Sequence, residues 1–116
     1  MDFIIKYPKK ISDFGMNSIY KGKHWSKRKQ DSDYWHWLVR SELNRQKIPK
    51  KIFEKPVKIK FYWNDRFDID NHAYMGKMIV DALKGFIIKD DSRKYLKAVE
   101  HCFHEKDYII CEVTEI

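Results

Sequence analysis

Asp68, Asp70, Lys77, Asp90 and Asp91 are the side chains best placed to do chemistry. They lie in one stretch, Phe67 to Lys94, which reads FDIDNHAYMGKMIVDALKGFIIKDDSRK. Carboxylates brought together repel one another, and the cost is relieved when a cation neutralises them. A hard divalent cation such as Mg²⁺ or Mn²⁺ takes carboxylate oxygens and keeps room for water and a substrate phosphate. The spacing therefore predicts that the two acidic clusters meet in space around a divalent metal. D-x-D alone carries little weight, because residues i and i+2 share a face in any exposed strand. Asp70 or Asn71 would equally serve as the cap of a following helix.

The elements around these residues decide whether they can meet. From about Asn71 to Lys84 the pattern is an amphipathic helix. Met75, Met78, Ile79, Ala82, Leu83 and Phe86 share one face, which is the core face. Tyr74, Lys77 and Asp81 fall within about 40° of Asp70 at 100° per residue, forming a polar stripe. Asp81 stands at i+4 from Lys77 and can pair with it. The helix rises about 22 Å from Asp70 to Gly85 at ~1.5 Å per residue. Gly85 can end the helix and turn the chain. An extended Gly85–Asp91 segment covers about 20 Å at ~3.3 Å per residue, enough to return beside Asp68 and Asp70.

The rest of the chain reads as a frame for that stretch. Phe3 to Tyr7 is a short strand stopped by Pro8. Lys9 to Ile19 lacks periodicity and reads as a loop. Asp31 or Ser32 can cap a helix running to about Gln46, with Trp35, Leu38, Val39 and Leu43 on its buried face. Pro56 to Trp63 alternates, so Val57, Ile59, Phe61 and Trp63 point to the core. Tyr95–Phe103 and Tyr108–Thr114 read as two strands of a hairpin turning at His104–Asp107. The sum is one α+β domain over residues 1–116, a mixed sheet of about four strands with two helices packed on it.

Composition narrows the partners. The net charge of +7 is uneven. Residues 1–66 hold 17 Lys and Arg against 7 acids, and residues 67–116 hold 7 against 10. The first part is a polyanion-binding surface and the second carries the acidic clusters. Tyr20–Gln30 is the most basic window. Lys21, Lys23, Lys27, Arg28 and Lys29 alternate there with Tyr20, His24 and Trp25, cations for phosphates beside rings for bases. His24 and His72 are further candidates for phosphate contact. No apolar run is long enough for a membrane span, and the N-terminus lacks a secretory pattern. These features predict a cytoplasmic protein. Cys102 and Cys111 would lie on neighbouring strands, where a disulfide is conceivable, but two buried thiols suit a reducing compartment. Alternation sends His101 and Cys102 to opposite faces, which argues against a zinc set with His104 and Cys111.

The organising stretch resembles the RusA-like Holliday junction resolvases, which share a D-x-D-N, K-x-x-x-D-A-L and D-D pattern. The matching residues are Asp68, Asp70, Asn71, Lys77, Asp81, Ala82, Leu83, Asp90 and Asp91. The segment GMNSIYKGKHWSKRKQ is similar to the family's Asn- and Tyr-containing DNA-facing loop, so the likeness covers nearly the whole chain. The resemblance implies that Asp68, Asp70 and Asp91 are catalytic metal carboxylates for Mg²⁺ or Mn²⁺, and that Lys77 is the essential basic residue. It implies DNA contacts by Asn17 and Asn71 in addition to the basic window. It also implies a homodimer that resolves four-way junctions by paired phosphodiester hydrolysis in DNA recombination and repair, in a bacterial or phage-infected cell. Tyr74 stands where the best-known member has its lysine, and Lys77 follows three residues later. Two other classes remain beside this one. A non-catalytic branched-DNA-binding module needs only the basic loop and a structural acidic cluster. A nucleotide or sugar transferase lacks the Gly-rich phosphate loop it would use.

Overall fold

The computed structural model describes residues 1–116. Its elements run β1 (Asp2–Lys6), a 3-10 turn (Ile11–Phe14), α1 (Met16–Tyr20), α2 (Trp25–Arg45), β2 (Val57–Trp63), a second 3-10 turn (Ile69–His72), α3 (Ala73–Leu83), β3 (Leu96–Phe103) and β4 (Tyr108–Glu115). This is an α+β domain with a four-stranded mixed sheet and three helices, one helix more than expected. No helix is long and apolar enough to cross a membrane.

The alternation in β2 places Val57, Ile59, Phe61 and Trp63 fully in the core, while Lys58, Lys60 and Tyr62 face outward. Burying each large apolar side chain stabilises the fold by about 1.5–3 kcal/mol. Phe3 and Ile5 of β1 and Ile109, Cys111 and Val113 of β4 continue the same buried layer. On the helix side, Trp35, Val39 and Leu43 of α2 meet Met75, Met78, Ile79, Ala82 and Leu83 of α3. The periodicity of α3 is thus as expected, save that Phe86 is half-buried under the Arg40 guanidinium.

The expected hairpin does not form. The strand order is β1-β4-β2-β3, so β2 lies between β3 and β4. β2 runs parallel to β3 and antiparallel to β4. Residues 104–107 therefore cross the end of β2, and the His104 N–H donates to the Trp63 carbonyl there. The β2–α3–β3 segment is a parallel crossover, which needs a connection long enough to return over a face of the sheet, here made by α3. Cys111 pairs with Phe61 on the core face, while Cys102 pairs with Tyr62 on the open face. The two thiols are thus two strands apart, about 10 Å at ~4.8 Å per strand, and on opposite faces. A disulfide cannot span that.

α2 begins at Trp25, six residues before the expected cap. His24 caps it, its Nδ1 accepting the Ser26 N–H at 3.2 Å. At its other end α2 serves β1. The Gln46 side chain accepts from the Ile4 N–H and donates to the Ile4 carbonyl, at 3.0 and 2.8 Å. Glu42 accepts from the Lys6 N–H at 3.2 Å. Burial pushes the Glu42 carboxyl up, but the Arg45 guanidinium and the Lys6 amide outweigh it and hold it below its usual range.

Candidate active site

Asp68 and Asp70 sit at the start of the second 3-10 turn, and both are exposed. α3 begins only at Ala73, with His72 in the cap position, so neither Asp70 nor Asn71 caps that helix. The loop that carries them is closed from behind. Asp65 and His72 bracket it, and the His72 Nε2 lies 2.8 Å from Asp65 Oδ1. The His72 ring is fully buried, with Nδ1 facing the Ile69 carbonyl at 2.9 Å. Asp65 also accepts from the Tyr7 hydroxyl at 2.8 Å and from the Phe67 N–H at 3.0 Å. The Tyr7 oxygen in turn accepts the Asn64 N–H at 2.7 Å. Burial raises the Tyr7 hydroxyl pKa, so it stays a donor. Every polar atom here has a partner, as burial demands. His72, expected to touch phosphate, is therefore an inner brace and is closed to any ligand.

Lys77 projects from α3, and its ammonium donates to Asp81 at 2.8 Å and to Asp91 at 2.9 Å. Lys84 pairs with the same two carboxylates at 3.1 and 3.2 Å. The four side chains form a neutral quartet. Hydrogen bonding from Lys77, reinforced by Lys84, holds the Asp91 carboxyl down at about 2. Asp81 raises the Lys77 ammonium, with Asp91 adding to it, and Lys77 stays 61% exposed, so its charge remains available to an incoming anion.

The return of the chain is shorter than expected. Gly85 adopts φ 76°, a left-handed conformation that favours glycine. The N–H groups of Phe86, Ile87 and Ile88 all converge on the Leu83 carbonyl, so the chain knots instead of extending. Asp91 then meets α3 at Lys77 and Asp81, mid-helix. Lys77 is seven residues past Asp70, about 10 Å along the axis at ~1.5 Å per residue. No three His, Cys, Asp or Glu side chains are grouped so as to hold a metal ion. The oxygen donors of Asp68, Asp70 and Asp91 suit Mg²⁺ or Mn²⁺ in kind, but they are not gathered into a ligand set, and Asp91 is already matched by two ammonium groups.

The basic window divides between two roles. Lys23 is half-buried and paired with Asp31, and it also donates to the Asp13 carbonyl at 2.8 Å. Asp31 accepts from the Tyr74 hydroxyl at 2.7 Å, which ties α2 to α3. Lys29 pairs with Asp33 one turn on. Lys21, Lys27 and Arg28 are exposed, and so are the rings of Tyr20 (82%) and Trp25 (64%). His24 is exposed but engaged in its cap, with Ser26 Oγ 2.7 Å from Nδ1. Asn71 has an inner partner: its Oδ1 accepts the Asn17 N–H at 2.8 Å. A Cβ on Gly15 would fall 2.8 Å from the Asn71 amide nitrogen, so a larger residue there would push the Asn71 side chain aside. Asn71 thereby fastens the start of α1 beside Asp70.

Sequence reasoning missed Asp65, Tyr7 and His101 as parts of this region. Their partners lie on other elements, and no local pattern joins them. Asp90 is half-exposed in the turn before Asp91. A scan against protein-family models and a search of curated proteins each return no match for this chain.

Proposed function

We propose that the chain is a metal-dependent, structure-selective endodeoxyribonuclease of the RusA-like type, resolving four-way DNA junctions by paired phosphodiester hydrolysis. The observation that carries this reading is the Lys77–Asp91–Asp81–Lys84 quartet next along α3 from the exposed pair Asp68 and Asp70. The motif's lysine and its late aspartate are in direct contact although fourteen residues separate them. The exposed cations and rings at the α1–α2 junction supply a surface for the phosphodiester backbone.

Asp68, Asp70 and Asp91 would hold Mg²⁺ or Mn²⁺, which when bound polarises the scissile phosphate and acidifies a water. Lys77, charged and exposed, donates to the phosphate oxygen on which negative charge builds. Its bond to Asp81 would hold the ammonium in place if Asp91 served as a ligand. Asn71 and Gly15 set the distance between the DNA-facing segment and the acidic turn. Two copies as a homodimer would cut opposite strands of a symmetric junction and leave ligatable nicks.

Four-way, Y-shaped and linear duplex DNA, each with and without Mg²⁺, test the proposal on a gel. Paired symmetric nicks confined to the four-way junction and dependent on Mg²⁺ are expected. Asp70→Asn and Asp91→Asn should each abolish nicking and retain junction binding; full activity in either variant overturns the assignment of the carboxylates. One observation favours a second reading, a branched-DNA-binding module without catalysis: Asp91 is fully satisfied by lysines, as in a purely structural network. Binding with no metal-dependent nicking in that assay would select it.

A further inference from the structure

Beside the quartet lies a cavity of about 310 Å³ between α3 and β3, lined by Gly76, Lys77, Val80, Asp91, Leu96 and His101 among others. His101 is the residue in it without an explained role. It pairs with Phe61 in the sheet and faces the helix layer, stacking on Phe61 and Trp63 with ring centroids 5.6 and 5.9 Å away. The Trp63 indole N–H points at His101 Nδ1 at 3.1 Å. An indole can only donate, so Nδ1 carries no hydrogen and the neutral ring bears its hydrogen on Nε2. Burial, with the neighbouring His72 ring adding to it, lowers the imidazole pKa and favours this neutral form. Nε2 has no protein partner, yet it is not sealed from solvent. Gly76 leaves room for the ring: a Cβ there would fall 2.9 Å from His101 Cε1.

A fixed N–H donor, an exposed ammonium and an apolar floor of Val80 and Leu96 describe a site for a sugar–phosphate unit. Asp91 does not repel such a ligand strongly, because Lys77 and Lys84 offset its charge. We propose that His101 Nε2–H and Lys77 Nζ are the two donors of a phosphodiester subsite in this cavity, each reaching a non-bridging phosphate oxygen. The proposal deepens the nuclease reading and rests on it only for the claim that this phosphate is the one cut.

Two-bond ¹H–¹⁵N spectra of the whole chain near pH 7 report each imidazole's tautomer, and the dinucleotide TpT serves as the phosphodiester probe. His101 should show a protonated Nε2 and a bare Nδ1, and its Nε2 and the Gly76 amide should move as TpT is added. His101→Gln keeps a donor near Nε2 and should retain the Gly76 response. His101→Asn keeps an acceptor for Trp63 but loses the outer donor, and should lose it. Thermal melting of both variants verifies that each is folded, and whichever variant is folded decides by its response. On four-way junctions, His101→Asn should nick about 10²-fold more slowly while Gln stays within about tenfold, in line with the loss of one charge-stabilising donor. A charged or Nδ1–H ring overturns the subsite. So does no response up to about 10 mM TpT, above the millimolar range of weak contacts, or an Asn variant that responds like wild type. If the wild type nicks nothing, the nuclease reading falls while the TpT response still decides the subsite. If His101→Asn nicks as fast as wild type, the subsite falls and the nuclease stands.

Discussion

Two charge networks flank the acidic turn, and they obey different physics. Behind it, Asp65 and His72 are nearly sealed, with side chains 6% and 0% exposed. In front, Lys77 is 61% exposed and its carboxylate partners 34% and 26%. The rear network has lost its water, so each member depends on the others, and removal of one leaves buried polar groups without a partner. The front network keeps its water, so its pairs exchange readily and add little to stability. A rigid back and a replaceable front are what a site needs if its charges are to be traded for a substrate's.

The contrast breaks most visibly at the rear. Asp65→Ala should destabilise the fold by about 3 kcal/mol, because His72, the Tyr7 hydroxyl and the Phe67 N–H all lose their shared acceptor. Urea denaturation measures this, and a loss below about 1 kcal/mol would mean the pair is not holding the loop. Tyr7→Phe removes a single neutral donor to Asp65 and should cost about 1 kcal/mol by the same measurement. The front should hardly register near neutrality: Asp91→Asn is expected within about 1 kcal/mol of wild type at pH 7. Its signature is at acid pH. An ordinary aspartate titrates near 3.9, whereas Asp91 is held at about 2 in the fold. The unfolded chain therefore takes up the proton first, and the stabilisation from Asp91, complete above about pH 4, fades as pH falls towards 2. Melting temperatures across that range should fall less steeply for Asp91→Asn. Parallel curves for the two proteins would refute the coupling to Lys77 and Lys84.

The front of the site was more legible in the sequence than its back. Lys77 and Asp81 are joined by helical spacing, and the core face of α3 follows from Met75, Met78, Ile79 and Leu83. The alternation of β2 likewise names its own buried face. Asp65 and His72 have no such signal, because a seven-residue separation means contact only once the 3-10 turn has curled the loop. The start of α2 was obscured by Asp31 and Ser32, which look like caps; Asp31 instead reaches inward to Lys23 and Tyr74. The short link at 104–107 suggests a hairpin, and local turn chemistry is silent about β2 inserting between its arms. The partial return of Asp91 was set by backbone bonding around Leu83 and Gly85, which chain-length arithmetic does not see.

One last consequence concerns growth of the sheet. Strands at a margin invite other chains to add on, since their outer backbone groups are unpaired. At β1 that invitation is withdrawn, because Gln46 and Glu42 occupy the outward groups of Ile4 and Lys6 as a neighbouring strand would. β3 has no strand on its far side. A molecule with a single open margin can extend in one direction only. Any strand-to-strand union of two copies through β3 uses up both margins at once, so such growth stops at a pair and cannot run on into a fibre.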